Sequence, residues 1–399
     1  MAEVGDRTEM ARLLGARMAG SYEQLRETQS LERDSHLLKT WIVEAQVGES
    51  AAEVVAAAFS NPTVGKYEPV SLSQIADDLH IARVQGPRNP ARLYLDTSDS
   101  RFWLVHSMDA SNAVDWVVER AIASTHQLDQ MWLPTSYLEA VSRLGAFRGL
   151  GLDFDRRPIG DLDANDEASP IEYLKMQLWG NRARRVLDIL REDDAVPAET
   201  TLSKVRIKYW EPDGDGDAFT VEEIKFNGKT TARGTSFEAH TGLVRRLIRA
   251  YQSQIGLFEG EYSLRSRVAE GGDGDAVKVA GAPLFFKFSR PALNLNKLLG
   301  TMFSSGPPFR LWGVPVQQGE NTYRVEGVDL HVGGRVGFEV TSDFIRVYLP
   351  QGSCGNTVMR LLTNLQHHYD AKVQLIGELG ESFGLQSDDV ESLDGALPS

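Results

Sequence analysis

Apolar positions along this chain switch between a helical period and a two-residue period, and the switches mark out its elements. Leu14, Met18, Tyr22 and Leu25 recur at helical spacing and predict a first helix over residues 8–32. The run 37–45, containing Thr40, Trp41, Ile42 and Val43, predicts a strand. An alanine-rich helix over 50–59 follows and stops at Asn61-Pro62, where proline disfavours a helical predecessor. Residues Ser71 to His80 read as a further helix with Ile75 and Leu79 inward. They also match the opening helix of a helix-turn-helix, although Gly86-Pro87 and Asn89-Pro90 would break its second helix.

One order of elements then recurs three times. Strands 91–96 and 101–106 lead through Asp109-Ala110-Ser111-Asn112 into a helix bearing Val114, Val117, Val118 and Ile122. Strands 203–210, 219–226 and 230–234 lead through Ser236 into one bearing Leu243, Val244, Leu247, Ile248 and Tyr251. Strands 327–331, 335–341 and 344–349 lead through Gly355-Asn356 into a third, bearing Val358, Leu361, Leu362 and Leu365. Short strands are expected after these helices, at 130–133, 256–258 and 372–376. The predicted fold class is therefore α+β, with repeated antiparallel hairpin–helix–strand units, each a small sheet covered by a helix.

The expected domains are 1–152, an N-terminal helix plus the first α+β unit; 165–268, the second unit; and 282–379, the third. The stretch 153–169 is acidic and irregular, and Ser169-Pro170-Ile171-Glu172 predicts a helix opened by a capping box with proline at its first position. Residues 270–281 are rich in Gly and Asp and read as a linker. From 380 to 399 a flexible acidic tail is expected, with Glu381, Asp388, Asp389, Glu391 and Asp394 and no Lys or Arg.

Composition narrows the function classes. A chain of 399 residues exceeds one ordinary core, and its 42% apolar content supports two or three. The net charge of −14 repels phosphate backbones at long range, so nucleic acid would have to be met by a local basic patch. Cys354 is the single cysteine, which excludes an intrachain disulfide and a cysteine-based zinc site within one chain. The opening MAEVGDRTEM lacks the apolar core of a signal peptide, and no run of about 18 apolar residues occurs. The expectation is a cytoplasmic protein with no membrane partner.

The sharpest catalytic candidate is Pro212-Asp213 followed by Glu223-Ile224-Lys225. Letter for letter this resembles the signature of the PD-(D/E)xK nuclease superfamily, over residues 170–263. The resemblance implies that Asp213 and Glu223 hold a divalent Mg or Mn ion and that Lys225 positions the attacking water. Its element order, helix, three strands, helix, strand, is also the order expected here. The same stretch, Asp213-Gly214-Asp215-Gly216-Asp217, reads equally as a hairpin turn. That geometry sets Asp213 opposite Asp217 and roughly 20 Å from Glu223. A calcium loop starting at Asp213 fails, because Ala218 and Ile224 occupy the positions where Gly and Glu are needed.

Asp329 and His331 alternate on an expected strand, where they read as a polar pair on a sheet face. His367 and His368 end an expected helix, where they read as favourable cations at its C-terminus. No phosphate-binding Gly loop or nucleophile elbow occurs, so no cofactor is expected outside the nuclease reading.

Positive charge is concentrated in two places. Arg182, Arg184, Arg185 and Arg191 crowd one segment; Arg245, Arg246 and Arg249 crowd another, where they are expected to point away from the apolar stripe. Planar, permanently charged guanidinium groups can grip phosphates or a partner's carboxylates. The sequence thus leads to a non-enzymatic binding or regulatory subunit acting through a protein partner, with a nucleic-acid-handling complex as its setting. The alternative is a metal-dependent nuclease.

Overall fold

The computed structural model describes residues 4–30, 36–48, 50–59, 68–85, 90–159, 171–192, 199–211, 216–268, 277–291, 294–378 and 380–383. Its elements begin with α1 (Arg7–Thr28), β1 (Leu38–Ala45), α2 (Ala51–Phe59), β2 (Glu68–Ala76), β3 (Leu79–Gln85), β4 (Pro90–Asp96) and β5 (Phe102–Ser107). There follow α3 (Ser111–Ser124), β6 (Leu128–Gln130), α4 (Thr135–Val141), β7 (Ala146–Asp155), β8 (Tyr173–Trp179), α5 (Ala183–Glu192), β9 (Leu202–Trp210), β10 (Phe219–Lys225) and β11 (Lys229–Gly234). The remainder is α6 (Phe237–Leu257), β12 (Ser263–Val268), β13 (Val277–Ala280), β14 (Leu284–Lys287), α7 (Leu295–Met302), β15 (Leu311–Gly313) and β16 (Val316–Gly319). The last elements are β17 (Thr322–Asp329), β18 (Arg335–Thr341), β19 (Phe344–Pro350), α8 (Asn356–His368) and β20 (Gln374–Ile376). Helices combined with antiparallel sheets make this an α+β protein.

The chain forms two compact units. Unit 1 comprises Met1–Met131, Val141–Arg148 and Lys204–Ile248. Its antiparallel strands run in the order β2-β3-β4-β5-β1-β11-β10-β9, with β6 also paired to β1. Strands from the first and second expected stretches therefore share one sheet, through Leu38↔Ala232 to Trp41↔Lys229.

Both faces of the central strands are covered, which is why β1 is buried at every position. Trp41, Val43, Leu93, Leu95, Trp103 and Val105 point to one face and pack with Val55, Phe59, Val114 and Val118 of α2 and α3. The alternate positions, Leu38, Ile81 and Tyr94, pack with Met10, Leu14 and Met18 of α1. The α1 stripe is anchored at its start, where Asp6 caps the amide of Glu9 and Arg7 reaches Asp78 and Asp96.

Unit 2 comprises Trp132–Ala140, Gly149–Ser203 and Arg249–Ser399. Its larger sheet runs β13-β12-β19-β18-β17-β15, with β14 joining β19 to β20 and β16 paired to β17. Only β12 and β19 are parallel among the pairings described. Helix α8 is buried along nearly its whole length and is pinned to the end of β17, where Arg360 and Thr357 both donate to Asp329. The remainder of β7, from Gly149, pairs with β8 in the same unit.

The structure corrects three expectations. Residues 71–80 are not a helix: they form β2 and the start of β3, joined by the turn Asp77-Asp78, so no helix-turn-helix exists there. The helix expected from Ile171-Glu172 is replaced by β8, whose side chains alternate strictly in and out. A capping-box pattern carries no weight where the following residues, YLKMQLW, have period two. Finally, no strand forms at 256–258: α6 continues to Leu257 and closes in a π-turn over Phe258–Tyr262. The first and third hairpin–helix orders do end on short strands, β6 and β20. Of the expected linker 270–281, residues 277–280 form β13 and 270–276 lie outside the described residues; of the acidic stretch 153–169, residues 153–155 end β7 and 160–169 lie outside them, as does the tail beyond 383.

No helix among the described residues is long and apolar enough to cross a membrane.

Candidate functional site

The residues of the nuclease signature occupy β10 of unit 1 in part only, because Pro212 and Asp213 lie outside the described residues. Glu223 and Lys225 share one face of β10. Both oxygens of Glu223 are engaged by the neighbouring strand: Lys204 Nζ donates to Oε1 at 3.0 Å and Arg206 Nη2 to Oε2 at 2.8 Å. Burial raises the Glu223 carboxyl, but these two cations outweigh it and hold the group below the usual carboxylate range. Lys225 stands opposite Lys204 in the sheet register. This is a carboxylate already neutralised by protein cations.

The more elaborate polar construction of unit 1 lies in its interior. Thr40 Oγ1 sits 2.8 Å from His106 Nδ1 and 2.8 Å from His240 Nε2, while His240 Nδ1 lies 2.6 Å from Glu222 Oε1. Thr220 also donates to that oxygen. All five side chains are buried, so the chain of bonds is sealed from any substrate. Burial first, and His240 second, push the His106 imidazole down to about 3. The arrangement joins β1, β5, β10 and α6 without bringing a reacting group to the surface.

In unit 2, Asp329 and His331 are likewise buried and structural: Asp329 accepts from the His331 amide, Thr357 and Arg360. His367 and His368 are not cations at a helix end. Their Nδ1 atoms pair with the carbonyls of Asp153 and Asp155 at 2.7 Å, so each ring N–H donates to β7. Burial pushes His367 down to about 3 and lowers His368 as well.

The two arginine groups fare differently. On α6, Arg245 and Arg249 are exposed, but Arg246 is only 7% exposed. The expectation that all three point outward therefore fails at Arg246, whose place in the helical period falls beside Leu247 on the inward face. In unit 2, by contrast, Arg182, Arg184 and Arg185 are all exposed, and Arg191 pairs with Glu139 of α4.

These arginines stand beside bulky apolar groups that the sequence did not single out. Arg182 in the turn before α5 and Arg185, Val186 and Ile189 on the helix recur at i, i+3, i+4 and i+7, a spacing that groups the three helical positions on one face. Ala183 and Leu187 are the buried side of the helix, which turns Ile189 outward at 57% exposure. Immediately before it, β8 turns Leu174, Met176 and Leu178 toward Phe154, Leu152 and Leu150 of β7 and leaves Tyr173, Lys175, Gln177 and Trp179 outside. Tyr173 is 45% and Trp179 44% exposed.

Two contacts hold these aromatic rings in place. The Arg157 guanidinium lies 4.4 Å from the Tyr173 ring and is itself clamped by Asp155 through two bonds of 2.7 Å. Trp179 faces Gly149 across the strand pair, and a Cβ on Gly149 would come within 2.6 Å of its ring. Gly149 is thus the position over which the indole is seated. Lys175 pairs with Asp153 at 3.3 Å on the same outer face. Among the described residues β8 pairs with β7 alone, so its outer edge carries backbone donors and acceptors without a strand partner.

Comparison with known proteins reaches across both units. The chain is 27% identical over 406 aligned residues to a protein of Methanocaldococcus jannaschii named uncharacterized protein MJECL33, covering 94% of each chain. It also matches the model of the family described as MJECL33-like protein over residues 1–383. With every described element inside that match, this α+β chain belongs to the MJECL33-like protein family.

Proposed function

We propose that the chain is a non-enzymatic binding subunit that engages a protein partner along β8 and α5 of unit 2. The observation that carries this reading is the exposure of Tyr173, Trp179, Val186 and Ile189 on two consecutive elements that also present Arg182, Arg184 and Arg185. Trp, Tyr and Arg are the residues that concentrate binding energy at protein interfaces. The partner that fits is an extended acidic segment. It would add its backbone to the outer edge of β8 and place carboxylates against the arginines.

The engaged state of Glu223 is why binding is preferred to nuclease chemistry: its two oxygens are held by Lys204 and Arg206. A nucleic-acid strand is the competing occupant of the arginine face, and the unpaired outer edge of β8 favours a polypeptide, whose backbone can pair with it. The proposal keeps a cytoplasmic, nucleic-acid-handling complex as the setting, with the protein component as the direct contact.

The test is capture of the tagged full-length chain from its native cell lysate, with and without added nuclease. A stoichiometric protein surviving nuclease treatment is the expected result. Recovery of nucleic acid alone would overturn the reading in favour of the competing occupant.

A further inference from the structure

The end of this chain has the chemistry that suits the β8–α5 face of unit 2. Residues 384–399 hold Asp388, Asp389, Glu391 and Asp394 with no Lys or Arg, and set Val390, Leu393 and Leu397 among them. On the face itself, Arg182, Arg184 and Arg185 are exposed beside Tyr173, Trp179 and Ile189. Carboxylates interleaved with apolar side chains complement guanidinium groups interleaved with aromatic rings. The outer edge of β8 offers backbone donors and acceptors to any extended segment laid along it.

The start of this segment is anchored in the same unit. The Phe383 ring packs edge-on against Phe258 and Tyr262, with ring centres 5.5 and 5.0 Å away, and its amide donates to the Leu375 carbonyl. From Leu375 the chain leads back to Tyr369 through a turn in which the Val373 amide donates to the Asp370 carbonyl. The Tyr369 carbonyl accepts from the Arg156 guanidinium, and the Arg156 amide donates to the carbonyl of Glu172, the residue before β8. Laid end to end in a straight line, these links put the head of β8 roughly 35 Å from Phe383. Residues 384–399, fully extended, span about 50 Å, so Asp394 and Leu397 reach the face even in that least favourable case.

We infer, on the reading of that face as a binding site, that residues 384–399 are its intramolecular occupant and compete there with the partner. Tethering holds the segment near the face at an effective concentration on the order of millimolar. An external acidic segment then binds with an affinity reduced by the fraction of chains whose own segment is seated.

Bimane emission, which contact with an indole quenches, reads the seating directly. The full chain carrying Ser392→Cys is labelled; native Cys354 is buried, and the chain without Ser392→Cys is the labelling blank. Trp179→Phe removes the quencher but keeps an aromatic ring, and is expected to raise the emission at least twofold. Arg182→Glu/Arg185→Glu should raise it likewise, by repelling the carboxylates. Emission unchanged by Trp179→Phe, or by the arginine pair, overturns the contact. Quenching that deepens with protein concentration assigns the segment to a second copy and overturns the intramolecular seating. Neither failure touches the binding reading itself, which partner capture by the native chain decides separately.

Discussion

Trp179 is seated over Gly149 across the β7–β8 pair, and the absence of a side chain at Gly149 is what allows it. The glycine has φ +144°, and an added Cβ would meet the Leu178 carbonyl oxygen at 2.3 Å as well as the indole. Gly149→Ala should therefore cost about 1–3 kcal/mol of stability through backbone strain and overpacking. Gly180→Ala is the control: φ is +125° there but nothing lies within 4 Å of its Cβ, so strain acts alone and the loss should be smaller. Urea unfolding of the two variants measures the difference.

The buried imidazoles make stability depend on pH. His106 and His367 are held down to about 3 by burial, whereas in the unfolded chain they titrate near 6.5. Above pH 6.5 both states are neutral and nothing changes. Below it the unfolded chain takes up protons that the native rings refuse, so stability falls as pH drops toward 3. Each ring should contribute a loss of about 2 kcal/mol by pH 5. Urea midpoints at pH 7.5, 6 and 5 test this, and His367→Gln should flatten the slope.

Thr40 bridges two histidine rings with a single hydroxyl. Thr40→Val keeps the shape but leaves His106 Nδ1 and His240 Nε2 facing a methyl group in a sealed interior. The expected loss is about 2–4 kcal/mol, since two buried polar atoms lose their partner at once. Thr40→Ser should recover most of it. Thermal melts of the two variants side by side provide the check.

Glu223 separates the two readings of β10. As a sheet ion pair with Lys204 and Arg206, it loses about 1–2 kcal/mol on Glu223→Gln, and added Mg or Mn leaves the melting temperature unchanged. As a metal ligand, it would make millimolar Mn raise the melting temperature of the native chain but not of the variant.

Local pattern made much of the architecture legible. The helix carrying Leu14 and Met18, the three hairpin–helix orders and the edges of β18 all follow from periodicity that survives folding. What failed was read from signals of a few residues against the longer pattern. Ser169 to Glu172 imitates a helix start, yet Tyr173 to Trp179 alternates with the period of a strand. Ser71 to His80 contains apolar residues at helical spacing, but Asp77-Asp78 turns the chain between two strands.

The same errors hid what the sheets bring together. With β8 read as helix, Trp179 and Tyr173 had no common face. With Ser71 to His80 read as a helix, nothing set Arg83 opposite Arg92. Arg182, Arg184 and Arg185 were visible because charge clusters need no pairing partner to be noticed. Arg246 shows the limit of that signal, since its burial depends on what the helix meets.

The central claim is that β8 and α5 hold a protein partner, and the most direct measurement is a comparison of two captures. The native full-length chain and the double variant Trp179→Ser/Ile189→Asp are each recovered from nuclease-treated native lysate, with circular dichroism confirming that both are folded. Trp179 is 44% and Ile189 57% exposed, so the variant should keep the fold. The account predicts a stoichiometric partner with the native chain and its loss, by tenfold or more, from the variant. Equal recovery of that partner by both chains, or no partner with either, would contradict it.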